Sequence, residues 1–208
     1  VKIVECINYH LYGGFMNKKN MTVTVYCGSH KGLSPTYTSF AQNFGTQLGK
    51  SGYRVAYGGG QLGLMGIIAN AALDAGAHVT GIIPKVFVET EQAHYGVSRL
   101  EIVEDMFTRK KKLIEIGDAF VILPGGIGTL EEFVDTADWV HIYESIQKPI
   151  IIANVSGLFD PLKTLLDSLA QSGFITKKDW DNIHFCSSMT NIFSILDNYY
   201  MIHMMNNA

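Results

Sequence analysis

The sequence predicts an α/β protein: one parallel sheet with helices packed on both of its faces. Three observations predict it. Short runs rich in β-branched residues alternate with helical stretches along the chain. The runs are continuously apolar rather than alternating, which is the pattern of strands buried on both faces. Glycines close the helical stretches, at Gly52, Gly76, Gly117 and Gly173, ahead of the next apolar run.

The elements follow in order. "TVTVYC" (22–27) reads as a buried strand, and 37–52 as a helix closed by Gly52. "RVAYGG" (54–59) is the second strand, and 63–76 a helix ending at Gly76. "HVTGIIP" (78–84) is a strand stopped by Pro84, whose missing N–H cannot continue a ladder. After a loop, "LEIVE" (100–104) is a short strand, and 106–117 a helix with Gly117 at its carboxyl end. "AFVILP" (119–124) leads into a helix over 129–143, and "PIIIANV" (149–155) into a helix over 159–173. "IHFCSS" (183–188) is the last strand, before a helix over 189–200. This rhythm is that of a Rossmann-like doubly wound sheet, in which ligands bind at the carboxyl ends of the strands.

No internal repeat or domain boundary interrupts residues 21–208, which are expected to form a single domain. Residues 1–20 lack the apolar stretch and small-residue cleavage site of a secretory signal and end in a polar "NKKN". They read as a flexible extension outside the main fold, with Met21 a candidate natural start. Of the 208 residues, 47% are hydrophobic and 17% charged, the composition of a folded domain with a sizeable core. A net charge of −3 gives no reason to expect a nucleic-acid partner, and no apolar run approaches the ~18 residues of a membrane span. The densest basic cluster, Arg109–Lys112, is a candidate local anion site. Cys6, Cys27 and Cys186 are widely spaced, which argues against a disulfide framework or structural zinc and fits a reducing, cytoplasmic setting.

Three strand ends carry glycine-rich corners that the fold should bring to one rim: "CGSHKG" (27–32), "YGGGQLGLMG" (57–66) and "PGGIGT" (124–129). Glycine lets a ligand approach the backbone closely, and each following helix aims unpaired N–H groups at the same point. Gly28 and Ser29, Gly59 and Gly60, and Gly125, Gly126, Gly128 and Thr129 are therefore candidate phosphate or substrate ligands, with Lys110 beside them. The bland alternative is that the glycines only permit tight turns. The dinucleotide fingerprint is not met, because "GGGQLG" follows the second strand and no acidic residue ends a following strand. No G-K-[ST] occurs, so the Walker pattern is absent too. No metal-ligand spacing appears, and no cofactor is expected.

"PGGIGTLEE" (124–132) resembles the P-G-G-x-G-T-x-x-E signature of the LOG ("Lonely Guy") family. The resemblance extends over most of 22–188, with "CGS", "YGGGQLGLMG", "GIIP", "DMFTRKKKL", Trp139 and "KPIII" in family order. Members are cytokinin riboside 5′-monophosphate phosphoribohydrolases, many of them labelled lysine decarboxylases. The resemblance implies hydrolysis of the N-glycosidic bond of a nucleoside 5′-monophosphate, such as AMP or an N6-modified adenine nucleotide. It implies Arg109 and Glu132 as the catalytic pair, and a homodimer with sites near its interface. Phe107 replaces the histidine of the family's M-H-x-R-K segment, and "VHIYES" replaces a glutamine-containing stretch. Both departures bear on which base is taken.

The residues are compatible with this chemistry, although Arg109 read without the resemblance is a solvated residue in a basic helical run. Glu131 and Glu132 diverge by about 100° on a helix, so one alone can face the ligand. Cleaving an N-glycosidic bond builds positive charge on the sugar, which an ionised carboxylate stabilises while it orients or deprotonates water. A nearby Arg109 is expected to keep Glu132 ionised, and Glu131 to face solvent or pair with a base. Glu89 and Glu91 are weaker candidates, read as a solvated loop. His30, in the first corner, is a candidate ligand contact. His94 and His141 are expected at the surface or behind the site. Met65 and Met106 read as base pocket or as core. Two other functions compete: a non-catalytic nucleotide or cofactor carrier, and a pyridoxal-phosphate decarboxylase, for which only Lys31 sits in a glycine corner.

Overall fold

The computed structural model describes residues 21–143 and 148–206; the extension read over 1–20 lies outside the described residues. Seven parallel strands form the sheet: β1 (Thr22–Tyr26), β2 (Arg54–Tyr57), β3 (Val79–Pro84), β4 (Arg99–Val103), β5 (Ala119–Ile122), β6 (Ile150–Ala153) and β7 (Ile183–Cys186). The helices are α1 (Pro35–Lys50), α2 (Gly63–Asp74), α3 (Met106–Ile116), α4 (Ile127–Tyr143), α5 (Asp160–Gln171), α6 (Lys177–Asp181) and α7 (Met189–Asn206). The expected elements are all present, with ends shifted by a few residues. Additions are α6 and two 3₁₀ turns, at 85–87 and 155–157.

The strand order is β4-β3-β2-β1-β5-β6-β7. The chain therefore winds outward from β1 through β4, then returns to β1 and winds the other way. Val23 pairs with Val55 of β2 on one side and with Ala119 of β5 on the other. Continuous apolar strands follow from this central position: Val23 and Val25 point into one core layer, and Tyr26 into the other. The first layer packs under α1, α2 and α7, through Phe44, Leu64, Ile68 and Leu196. The second packs under α3, α4 and α5, through Leu113, Phe133 and Leu166. The edge strands are less buried: Arg99 and Ile102 of β4 are exposed, and Ile183, His184 and Phe185 of β7 are partly so. Among the described residues, no helix is long and apolar enough to cross a membrane.

Buried polar groups on the central strand are tied to the helices beside it. The Thr24 hydroxyl donates to the Leu113 carbonyl of α3 at 3.0 Å, and the Tyr26 hydroxyl meets Thr136 Oγ1 of α4 at 2.9 Å. These bonds satisfy groups that would otherwise be costly to bury, and they set α3 and α4 against β1. Helices α1 and α2 approach closely because Gly45 faces the Ile68 carbonyl and Ala71, where an added Cβ would lie 2.6 and 3.0 Å away. Gly45→Val is accordingly expected to lower stability by about 1–3 kcal/mol. The check is a urea unfolding curve, whose midpoint should fall with little change in slope.

Candidate functional site

The topology reverses between β1 and β5, and the carboxyl ends of these two strands meet there. The corners following them lock together: the Gly28 N–H donates to the Pro124 carbonyl at 3.0 Å. The start of α2 joins them, with the Leu64 N–H donating to the Gly28 carbonyl at 3.0 Å. Over this junction opens a cavity of about 660 Å³. Gly28 and Ser29 line one side, and Gly125, Gly126, Gly128 and Thr129 the other. Cβ atoms placed on Gly126 or Gly128 would meet nothing within 4 Å, so this turn presents bare backbone to the cavity. The first helical bond of α4 runs from the Leu130 N–H to the Gly126 carbonyl. The N–H groups of Ile127, Gly128 and Thr129 are thus left without helical partners, at the positive end of the helix dipole. That arrangement suits an anion.

Arg109 and Glu132 meet in the same cavity wall, each 6% exposed. Arg109 is carried by α3, whose start is capped by Asp105 accepting from the Thr108 N–H at 2.8 Å. Its Nη2 donates to Glu132 Oε1 at 3.1 Å. The guanidinium passes beside Gly58, where any Cβ would collide with it. Burial pushes the Glu132 carboxyl up to about 7, against the opposing pull of Arg109. Arg109 lowers the Glu132 carboxyl as expected, but it does not hold it in the ordinary carboxylate range, because desolvation outweighs one guanidinium. Glu91 Oε2 lies 3.6 Å from Arg109 Nη1, on the guanidinium's other terminal nitrogen. The Cys27 thiol lines the same wall, and burial holds it protonated.

The two glutamates part as helix geometry requires. Glu132 is buried in the wall, while Glu131 is half-exposed and pairs with Lys110 Nζ at 2.8 Å. Lys110 also binds Asp135 at 2.5 Å, which holds it against α4 and out of the cavity lining. Gly59 and Gly60 do not reach the lining either. Gly59, at φ +78°, packs against Ile82 and Ile83 of β3, and Gly60 lies beneath Glu91. The second corner thus makes room for Arg109 and for a neighbouring loop. His30 and Lys31 lie exposed at the mouth. Met65 and Met106 line the cavity, and Met65 belongs to the core as well. His94 is buried behind the second corner, bonded to Asn70 Oδ1 at 2.9 Å, and His141 is on the surface beside Asp179.

Glu91, Tyr37, Phe87 and Leu158 are cavity residues that sequence reasoning passed over or took for solvated loop. Phe87 and Glu91 reach the rim from a segment without glycine punctuation, whereas Tyr37 stands in the helix after the first corner and Leu158 follows Gly157. The one available signal was position: Phe87 and Glu91 follow the carboxyl end of a buried strand. Among the described residues, no group of three His, Cys, Asp or Glu side chains could hold a metal ion.

Fold and site together define a doubly wound α/β protein with an anion cradle and a buried acid–guanidinium pair at its switch point. Residues 65–196 match the family described as "Possible lysine decarboxylase", and the chain belongs to that family. It is 40% identical over 169 residues, 81% of its length and 85% of the relative's, to the cytokinin riboside 5′-monophosphate phosphoribohydrolase of Rhodococcoides fascians. It is also 40% identical over 153 residues, 74% of its length and 68% of the relative's, to a probable enzyme of the same name from Oryza sativa subsp. japonica. Among solved structures, it resembles the molybdenum cofactor binding protein of Rippkaea orientalis, with a TM-score of 0.66 and 20% identity. That match spans 86% of this chain and 96% of the other, and it reflects the shared fold.

The raised Glu132 carboxyl has a consequence for stability. A carboxyl whose folded-state affinity for protons exceeds its unfolded one stabilises the fold at low pH, and that contribution fades as pH rises through about 7. Glu132→Gln removes the titration. The melting temperature of this variant relative to the parent should therefore increase from pH 5 to about pH 7 and level off above it, and a difference independent of pH would contradict the assignment.

Proposed function

We propose that the protein hydrolyses the N-glycosidic bond of a nucleoside 5′-monophosphate to free base and ribose 5-phosphate. AMP and N6-modified adenine nucleotides, including cytokinin riboside monophosphates, are the proposed substrates. The observation that carries this reading is the buried Arg109–Glu132 pair, 3.1 Å apart in the wall of the cavity that the amino end of α4 also lines. The similarity to named phosphoribohydrolases at 40% identity supports the same activity.

In this reading the phosphate sits against the free N–H groups of Ile127, Gly128 and Thr129, with Gly28 and Ser29 across from them. Glu132 lies one helical turn further along, about 5–6 Å from the cradle, and meets the sugar. As the bond to the base breaks, positive charge grows at C1′ and the Glu132 carboxylate stabilises it. The same carboxylate accepts a proton from the attacking water. Arg109 keeps its proton throughout and acts by charge and hydrogen bonding. The apolar wall of Tyr37, Met65, Phe87 and Met106 suits a purine ring.

The family's decarboxylase description implies pyridoxal phosphate on a Schiff-base lysine. The residues do not fit that group: Lys31 is exposed at the mouth, and Lys110 is held by Glu131 and Asp135. We further propose that the protein is a homodimer in the cytoplasm, with no nucleic-acid partner. Exposed Phe107, Ile127 and Val134 on α3 and α4 support a dimer, and the free buried thiols of Cys27 and Cys186 support a reducing compartment. A mass in solution twice that of the chain is the expected light-scattering result.

Incubation with AMP or isopentenyladenosine monophosphate should release free base, read by chromatography. Glu132→Ala and Arg109→Ala should each reduce kcat by roughly 10²–10⁴-fold. Because the ionised form of Glu132 is the one that works, kcat should fall on the acid side of a midpoint near pH 7. Tight binding of nucleotide without turnover by the parent protein would favour a carrier and overturn the reading.

A further inference from the structure

Glu91 stands on a loop that is pinned with unusual completeness. The Gln61 N–H, from the second glycine corner, is shared between the Glu91 carbonyl at 3.2 Å and the Gln92 carbonyl at 2.8 Å. The Glu91 N–H donates to the Phe87 carbonyl, and the His94 N–H to the Gly59 carbonyl, both at 2.9 Å. Gly60 forms an isolated antiparallel bridge with Ala93. Gln92 is held at φ 51°, a left-handed conformation unfavourable for a side-chain-bearing residue. What the pinning achieves is a fixed position for the Glu91 side chain, which is mostly buried and turned toward Arg109.

The charges there do not balance. Among the described residues, Arg109 is the one cation within 4 Å of either Glu91 or Glu132. Glu132 takes a true hydrogen bond from Nη2, whereas Glu91 Oε2 is 3.6 Å from Nη1 and has no hydrogen-bond partner. Arg109 Nε is buried and unpartnered as well. The other titratable groups facing the cluster do not supply a second positive charge. The Cys27 thiol at the end of β1 and the Tyr26 and Tyr57 hydroxyls are held neutral by burial. Glu131 on α4 adds negative charge, and its partner Lys110 is committed to it and to Asp135. His30 and Lys31 lie at the solvent-exposed mouth. With both carboxyls ionised, the buried cluster carries a net negative charge in a poorly solvated place, which favours the uptake of one proton.

We propose that Glu91 is a positioning residue for the reaction: by dividing the Arg109 guanidinium with Glu132, it makes the two carboxyls retain one exchangeable proton between them. The inference rests on the hydrolase reading above and extends it. In hydrolysis the bond from C1′ to the base breaks with its electron pair going to the base nitrogen, and the water oxygen bonds to C1′. One proton must leave the water and one must reach the base. The cluster delivers its held proton to the base and takes up the one from water, so it ends with the proton count it began with. Burial raises the Glu91 carboxyl, and the Glu91 charge contributes to raising that of Glu132, in agreement with this arrangement.

The test is a carboxyl-carbon NMR titration of glutamate-labelled protein, with the Glu132 signal identified by its loss in Glu132→Gln. In Glu91→Gln the Glu132 midpoint should move to lower pH, because the neighbouring negative charge is gone and Arg109 serves Glu132 alone. The acid limb of the rate profile should move with it, and kcat for AMP at pH 7 should fall roughly 10- to 100-fold with KM changed by less than about twofold. Glu91→Asp, which withdraws the same charge by one methylene, should move the midpoint in the same direction by less. If Glu91→Gln fails to fold by circular dichroism, the midpoint in Glu91→Asp decides alone. A Glu132 midpoint unmoved in the folded variants overturns the proposal, even where the parent protein hydrolyses AMP. A moved midpoint in a protein that releases no base from any nucleotide leaves the coupling standing and removes the hydrolase reading instead.

Discussion

The structure turns on one buried ion pair. Arg109 and Glu132 come from helices on the same side of the sheet, each helix anchored to β1 through a buried hydroxyl, and they meet where the winding of the sheet reverses. Burying such a pair is a poor way to gain stability, since desolvating two charges offsets most of their attraction. Here burial raises the Glu132 carboxyl by more than Arg109 lowers it. A fold selected for stability alone would place apolar side chains at these positions. The pair makes sense as chemistry: a carboxyl poised near neutrality can accept and return a proton at little cost.

The rest of the site separates two electrostatic tasks that would conflict at one point. An anion is best held by backbone N–H groups and a helix dipole, without nearby carboxylates. A developing sugar cation needs the carboxylate. In the proposed reading, an anion at the tip of α4 and Glu132 one turn along share one cavity wall, with the helix itself as spacer. Glu131 would upset this division, being closer to the tip, and Lys110 offsets its charge. Asp135 holds Lys110 in that role.

Much of this was legible in the sequence, for identifiable reasons. Continuous apolar strands announce burial on both faces, and β1 and β5 sit centrally for that reason. Helix α6 escaped notice because five residues, "KKDWD", are too few and too polar to carry a periodic signal. Within the site, helix periodicity sorts the basic run of α3. Arg109 enters the cavity wall, Lys110 turns to α4, Lys111 pairs with Glu115 on its own helix, and Lys112 reaches Glu101 on β4. A run of four cations therefore yields one site residue, and Lys110 as a ligand candidate follows from reading the cluster without its turns. The glycines mislead in a related way. Gly126 and Gly128 are open to a ligand, whereas Gly58 and Gly60 are small because Arg109 and Glu91 lie against them. Composition cannot tell these uses apart. Glu91 stood out only as a weak candidate in the loop after Pro84, since its contact with Arg109 is one that no local spacing encodes.

The most direct test of the division of labour along α4 is a crystal structure of Glu132→Gln, slow enough to retain intact AMP. The account predicts the phosphate oxygens within hydrogen-bond distance of the Ile127, Gly128 and Thr129 N–H groups, with C1′ facing the side chain at position 132. A phosphate seated at the mouth beside His30 and Lys31, or a ribose whose C1′ points away from position 132, would contradict it.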